Sequence, residues 1–142
     1  DMRLNSHSRL NFILAMIDVI DTGADEALML DPNGHVASCN ATNFFFVRKG
    51  EVFTSTGEFC FNGITRANVI ELAAGAGVTT HLGNFSLKDV ERADEAFVTG
   101  TFGGITPVRE IDGRLLPHAL PGPVTQHLRK LYAALKDIDA ER

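Results

Sequence analysis

Phe44-Phe45-Phe46-Val47 sets four large apolar residues in a row, and Arg48-Lys49-Gly50 places a turn directly behind them. An apolar run this short, closed by a turn signal, reads as a buried strand. Glu51-Val52-Phe53 is the strand that returns from it. Glu26 to Leu30 reads as another strand, and Asp31-Pro32-Asn33-Gly34 turns the chain into its partner. Val78 to Leu82, Glu95 to Thr99 and Ile105 to Ile111 read as further strands, with Asp112-Gly113 as a hairpin turn.

Helical spacing occurs in three main places. Leu10, Ile13, Leu14 and Ile17 mark an amphipathic helix over about Ser8–Ile20, stopped near Thr22-Gly23. A second runs from Ile64 to about Ala74, with Gly75 and Gly77 as stop signals. A third starts at Pro123, which suits a first helical position, and carries Val124, Leu128, Leu131, Leu135 and Ile138 on one face. Ser86 opens a shorter helix as its cap. Strands interrupted by helices without regular alternation point to an α+β fold. The sequence shows no repeat, low-complexity stretch or internal domain boundary.

Composition narrows the function classes. At 142 residues with 44% apolar content, the chain has the length of a single domain with a substantial core. A net charge of -5 argues against nucleic acid as the main partner, yet it leaves room for a small anion held by backbone amides. Cys39 and Cys60 lack CxxC spacing, so reduced thiols are expected, not a disulfide. No apolar run approaches the ~20 residues of a membrane span, and no signal peptide is visible. The expectation is a cytoplasmic protein without a membrane partner. The chain begins Asp1-Met2 and opens almost directly on a helix, which reads as a piece of a longer protein. Serine-hydrolase, dinucleotide-loop and zinc signatures are all missing, and the five histidines are scattered, so no metal site is expected.

Two segments carry chemistry. In Asn62-Gly63-Ile64-Thr65-Arg66 a glycine precedes the first turn of a helix, and a threonine hydroxyl stands on that turn. A helix start offers unpaired amides and the positive end of the dipole, which together suit a phosphate. In Thr99-Gly100-Thr101 a strand ends in hydroxyls and a glycine, well placed to grip a second face of an anion. Either segment alone is also what an ordinary helix start or turn looks like.

Taken together they resemble the class IV, fold type IV, pyridoxal-phosphate enzymes. These include branched-chain and D-amino-acid aminotransferases and aminodeoxychorismate lyase. The resemblance rests on Ala24-Asp25-Glu26-Ala27-Leu28-Met29-Leu30-Asp31, Asn43-Phe44-Phe45-Phe46-Val47 and Gly63-Ile64-Thr65-Arg66. It continues through the Ala93–Thr101 stretch, Ile105-Thr106-Pro107-Val108 and Gly122-Pro123-Val124-Thr125, in the family's order and spacing. It implies that residues 1–142 form the C-terminal cofactor-binding domain, strand-rich, with a barrel-like sheet and helices packed outside. The family's N-terminal domain has no counterpart here. It further implies pyridoxal 5'-phosphate as cofactor, amino acids and 2-oxo acids as small-molecule partners, and a homodimer or larger assembly.

By the same resemblance Gly63, Ile64 and Thr65 face the cofactor phosphate from one side, and Gly100 and Thr101 from the other. Asn43 lies on the strand beside the pyridine ring as support. Asn11 matches an asparagine on the helix after the catalytic lysine. The chain departs from the family at that lysine, which bonds to the cofactor aldehyde and moves the substrate α-proton. Arg3 stands at the expected position, with Arg9 the less favoured register, and arginine cannot perform that chemistry because its guanidinium stays protonated. Lys49, Lys88, Lys130 and Lys136 are out of register. Ser38 stands where many members carry a glutamate that keeps the ring nitrogen protonated; a hydroxyl offers only a hydrogen bond. Three readings stay open: the cofactor domain of an aminotransferase acting on branched-chain or similar amino acids, a non-catalytic relative that keeps the pocket, or a lyase on the same fold.

Overall fold

A computed structural model of the chain describes residues 9–118 and 120–140. In chain order the elements are α1 (Leu10–Ile20), β1 (Leu28–Leu30), β2 (Val36–Cys39), β3 (Asn43–Arg48), β4 (Glu51–Ser55), α2 (Ile64–Gly75), β5 (Thr80–Gly83) and α3 (Leu87–Val90). They continue with β6 (Glu95–Gly100), β7 (Gly104–Val108), β8 (Glu110–Ile111), β9 (Arg114–Leu115) and α4 (Pro123–Ala140). The α+β expectation holds.

The central sheet runs β5-β4-β3-β6-β7. Neighbours are antiparallel except β4 and β5, which run parallel because α2 makes the crossover between them. Two small hairpins, β1-β2 and β8-β9, stand apart from it, and among the described residues the sheet does not close into a barrel.

The Phe44–Val47 run explains the layering. Successive side chains of a strand point to opposite faces. Phe44 and Phe46 enter one core with Val36, Phe53, Val90 and Ala96, under the β1-β2 hairpin and α3. Phe45 and Val47 enter a second core with Val52, Val69, Phe97 and Leu128, under α2 and α4. Phe46 stacks on Phe53 at 5.0 Å and Phe45 on Phe97 at 4.9 Å between ring centroids. A strand uniformly apolar over four positions is thus buried on both sides.

Among the described residues the expected barrel-like sheet is an open one, and a second expectation changes with it. The predicted Ile105–Ile111 strand is two strands, because the chain leaves β6 after Val108 and pairs Glu110 with Leu115 in its own hairpin. Among the described residues nothing covers the apolar face of α1: Leu10, Ile13, Leu14, Ile17 and Ile20 are each more than half exposed. No helix among the described residues is long and apolar enough to cross a membrane.

Candidate functional site

The register of the central sheet gathers the candidate residues at one end of it. β3 begins at Asn43, which pairs with Thr99 near the end of β6. β4 runs antiparallel to β3 and ends at Ser55 on that same edge. The chain then loops through residues 56–63 and starts α2 there. Thr65, Val69 and Ala73 recur at helical spacing and are buried, which seats α2 on the sheet with its first turn at this edge.

A cavity of about 310 Å³ opens at this point. Ser38, Asn43, Gly63, Ile64, Thr65, Gly100 and Thr101 all stand on its wall, so the structure brings together every described residue singled out from the sequence for cofactor contact. Arg3 lies outside the described residues. Arg9 and Phe12 of the N-terminal segment also reach the cavity, as do Thr42, Phe61 and Thr99.

One wall is the start of α2. Its N-cap residue is Gly63, in extended backbone, with no side chain capping the first-turn amides. A helix start without a side-chain cap leaves donors turned outward. Asn43 fixes where that turn sits: its Nδ2 donates to the Phe61 carbonyl oxygen at 2.7 Å, and a Cβ at Gly63 would come within 2.9 Å of Asn43 Oδ1. Glycine at 63 therefore answers a close approach. Asn43 acts here as a clamp on the loop, a role its position on the strand did not reveal.

The facing wall is the end of β6. Thr99 is 2% exposed, and its Oγ1 has no hydrogen-bond partner in the structure. A buried hydroxyl without a partner costs roughly 1–3 kcal/mol, and Thr99 is one of the residues that line the cavity. Gly100 follows, and a Cβ there would meet the Thr42 methyl at 3.3 Å. Thr101 is exposed at the rim.

The third wall is β2 and its turn. Ser38 is buried, and its Oγ donates to the Cys39 carbonyl oxygen at 3.0 Å, so the hydroxyl proton is engaged within the chain. The lone pairs of that oxygen remain available, but donation to a ring nitrogen requires the hydroxyl to rotate. Burial, with the Glu26 carboxylate adding to it, pushes the Cys39 thiol up to about 12, so it stays protonated and is no nucleophile. Thr42 Oγ1 donates to Glu26 Oε2 at 2.7 Å, and Asn40 Oδ1 accepts from the Ala27 amide at 2.7 Å, tying the turn to the outer hairpin. None of the four lysines lines the cavity: Lys49 is in the β3-β4 turn, Lys88 on α3, and Lys130 and Lys136 on α4.

The residues present fit a phosphate ester. Outward amides and Thr65 lie on one side, with the partnerless Thr99 hydroxyl and the exposed Thr101 on the other. Sequence reasoning includes Thr99 in a promising segment but gives it no role of its own, since a lost partner is a property of packing and leaves no sequence signal.

The chain is similar to known proteins over most of its length. Residues 2–111 match the family model described as amino-transferase class IV. A branched-chain-amino-acid aminotransferase of Pseudomonas aeruginosa is 43% identical over 123 residues, covering 87% of this chain and 40% of its own length. The branched-chain-amino-acid aminotransferase-like protein 2 of Arabidopsis thaliana is 40% identical over 137 residues, covering 96% and 24%. Among solved structures, the pyridoxal-phosphate form of the branched-chain amino acid aminotransferase of Thermobaculum terrenum superposes with a TM-score of 0.90 at 35% identity, over 94% of this chain and 45% of that one. The branched-chain aminotransferase of Thermoproteus uzoniensis with norvaline gives 0.81 at 37%, over 88% and 41%. The chain spans less than half the length of these relatives. On the match over residues 2–111 and these likenesses, the chain belongs to the class IV aminotransferases.

Proposed function

We propose that the protein carrying this chain transfers an amino group between an amino acid, of branched-chain type, and a 2-oxo acid, and that residues 1–142 form its cofactor-binding domain. The cofactor is pyridoxal 5'-phosphate, which when bound serves as the electron sink for the substrate carbanion. The observation that carries this reading is the meeting of three features at one cavity: the α2 start without a side-chain cap, Thr65, and the β6 end at Thr99-Gly100-Thr101.

In this reading Gly63 lets the α2 turn come close, the amides of Ile64 and Thr65 and the Thr65 hydroxyl donate to the phosphate, and Thr99 and Thr101 complete its shell. Asn43 positions the loop. Ser38 stands near the ring and, unlike a carboxylate, leaves the ring nitrogen unprotonated. Copies of the protein associate, a reading supported by the uncovered apolar face of α1.

A second reading draws support from the cavity wall, which carries no lysine among the described residues. It makes the chain a non-catalytic relative that retains the pocket. A transamination assay separates the two. The purified protein, supplied with cofactor, is given leucine, isoleucine or valine and a 2-oxo acid. The first reading expects amino-group transfer that Thr65→Val reduces at least tenfold. Cofactor bound without any turnover overturns it in favour of the second.

A further inference from the structure

Arg66, one residue beyond Thr65, is only 6% exposed. Its Nη1 donates to Asn62 Oδ1 at 3.0 Å and its Nη2 to the Ser55 carbonyl oxygen at 2.7 Å, while Nε finds no acceptor. Among the described residues no carboxylate comes within ion-pair distance of it. Both of its acceptors are neutral. A buried cation held this way bears a desolvation cost that its hydrogen bonds only partly offset. Its place in the first turn of α2 adds to that cost, because the positive end of the helix dipole lies there as well. Burial accordingly holds the guanidinium below the usual arginine range, with the nearby Cys60 acting in the opposite direction.

Two things follow from the placement. First, Arg66 braces the loop that delivers the cavity's amides. Ser55 ends β4 and Asn62 precedes Gly63, so one guanidinium ties the two ends of the loop together. Asn62 Nδ2 carries the brace on to the Gly57 carbonyl oxygen at 3.1 Å, where φ is 90° and a Cβ would collide with the Asn62 side chain. Second, a fixed positive charge is carried on the first turn of α2 and held against the loop that leads into it. The chain supplies no counter-ion for it among the described residues, and an anion in the cavity would.

We infer that Arg66 is the positioning residue and charge source of the cavity, and that a bound dianionic phosphate group is its counter-ion. This rests on the reading of the cavity as a phosphate site. It differs from contact by side chain, since Arg66 is not on the cavity wall and acts through the α2 amides and the loop.

The test is calorimetric titration of the full chain with inorganic phosphate, pyridoxal 5'-phosphate and pyridoxal. Arg66→Met keeps an unbranched apolar stem and removes the charge together with the hydrogen bonds to Asn62 and Ser55. It is expected to weaken both phosphate-bearing ligands about tenfold or more and to leave pyridoxal unchanged. Arg66→Lys restores part of the loss. Should Arg66→Met fail to fold, Asn62→Asp serves instead: its carboxylate keeps the acceptor for Nη1 and gives the guanidinium a counter-ion, while giving up the bond to the Gly57 carbonyl oxygen, and the same loss is expected. In each folded variant, saturating phosphate should raise Tm less than in the unsubstituted chain. A folded Arg66→Met or Asn62→Asp chain that binds phosphate as tightly as the unsubstituted one overturns the inference alone. If the unsubstituted chain binds neither phosphate nor the cofactor, the cavity reading fails and this inference fails with it.

Discussion

Glu95 and Asn43 show how single buried side chains fix the geometry around the site. Glu95 is 3% exposed and accepts from the amides of Val124 at 3.1 Å and Thr125 at 2.8 Å, so it caps α4 from the first residue of β6. Its carboxylate stands at the positive end of the helix dipole, with His118 Nδ1 3.6 Å away. A Cβ at Gly122 would run into the Glu95 side chain, so a larger residue there displaces the cap. Glu95→Ala leaves two amides at a buried helix start without acceptors and should cost about 2–4 kcal/mol, read as a shift of the denaturant midpoint. Glu95→Gln keeps one acceptor and should cost less. None of this was visible in Ala93-Asp94-Glu95-Ala96, where Glu95 reads only as the polar start of a strand. Thr65 and Thr101 were legible because a helix start and a strand end have local signatures. Thr99 and Arg66 were not, because burial without a partner depends on what packs around them.

The turns and short helices are where local chemistry predicts most. Asp31 accepts from the amides of Asn33 at 2.8 Å and His35 at 2.9 Å, as its place before Pro32-Asn33-Gly34 suggests. Asp89 accepts from the Ser86 amide at 2.9 Å and hydroxyl at 2.8 Å, closing the start of α3. Burial alone would raise Asp31, but the His35 and Asn33 amides and the His35 ring outweigh it and hold the carboxyl below its ordinary 3.8. For Asp89 the Ser86 amide and hydroxyl lower it, with Arg48 and Arg92 adding to them. A carboxyl depressed by folding stabilises fully above its unfolded value and loses that contribution as pH falls through the lower folded value. Stability should therefore decline as pH falls below about 4. In an acid titration followed by circular dichroism, Asp31→Asn and Asp89→Asn should each flatten part of that decline; unchanged acid profiles would refute the assignment. The element that sequence periodicity misjudged was Ile105–Ile111. Alternation identifies an extended chain but not its partner, and here the partner changes between Val108 and Glu110.

At the scale of the whole molecule, the double-faced burial of β3 was legible from Phe44–Val47, and it dictates a sheet with a layer on each side. Closure was not legible. It depends on strand number and shear, and five strands with two separate hairpins leave the sheet open. The face of α1 is the clearest unfinished surface: five large aliphatics at helical spacing, each more than half exposed. A patch of this kind, left open to water, favours association. Sedimentation velocity should show concentration-dependent species larger than a monomer, and Leu14→Glu with Ile17→Glu should shift them to monomer without loss of helix content. A monodisperse monomer across the micromolar range would count against the assembly.

The central claim is that one cavity, formed where β3 begins, β6 ends and α2 starts, holds the phosphate of the cofactor. A crystal structure of the chain grown with pyridoxal 5'-phosphate tests it most directly. The account predicts the phosphate against the Ile64 and Thr65 amides, with Thr99 Oγ1 or Thr101 Oγ1 within hydrogen-bond distance. A fully occupied cofactor whose phosphate lies elsewhere, with the Thr99 hydroxyl still unpartnered, would contradict it.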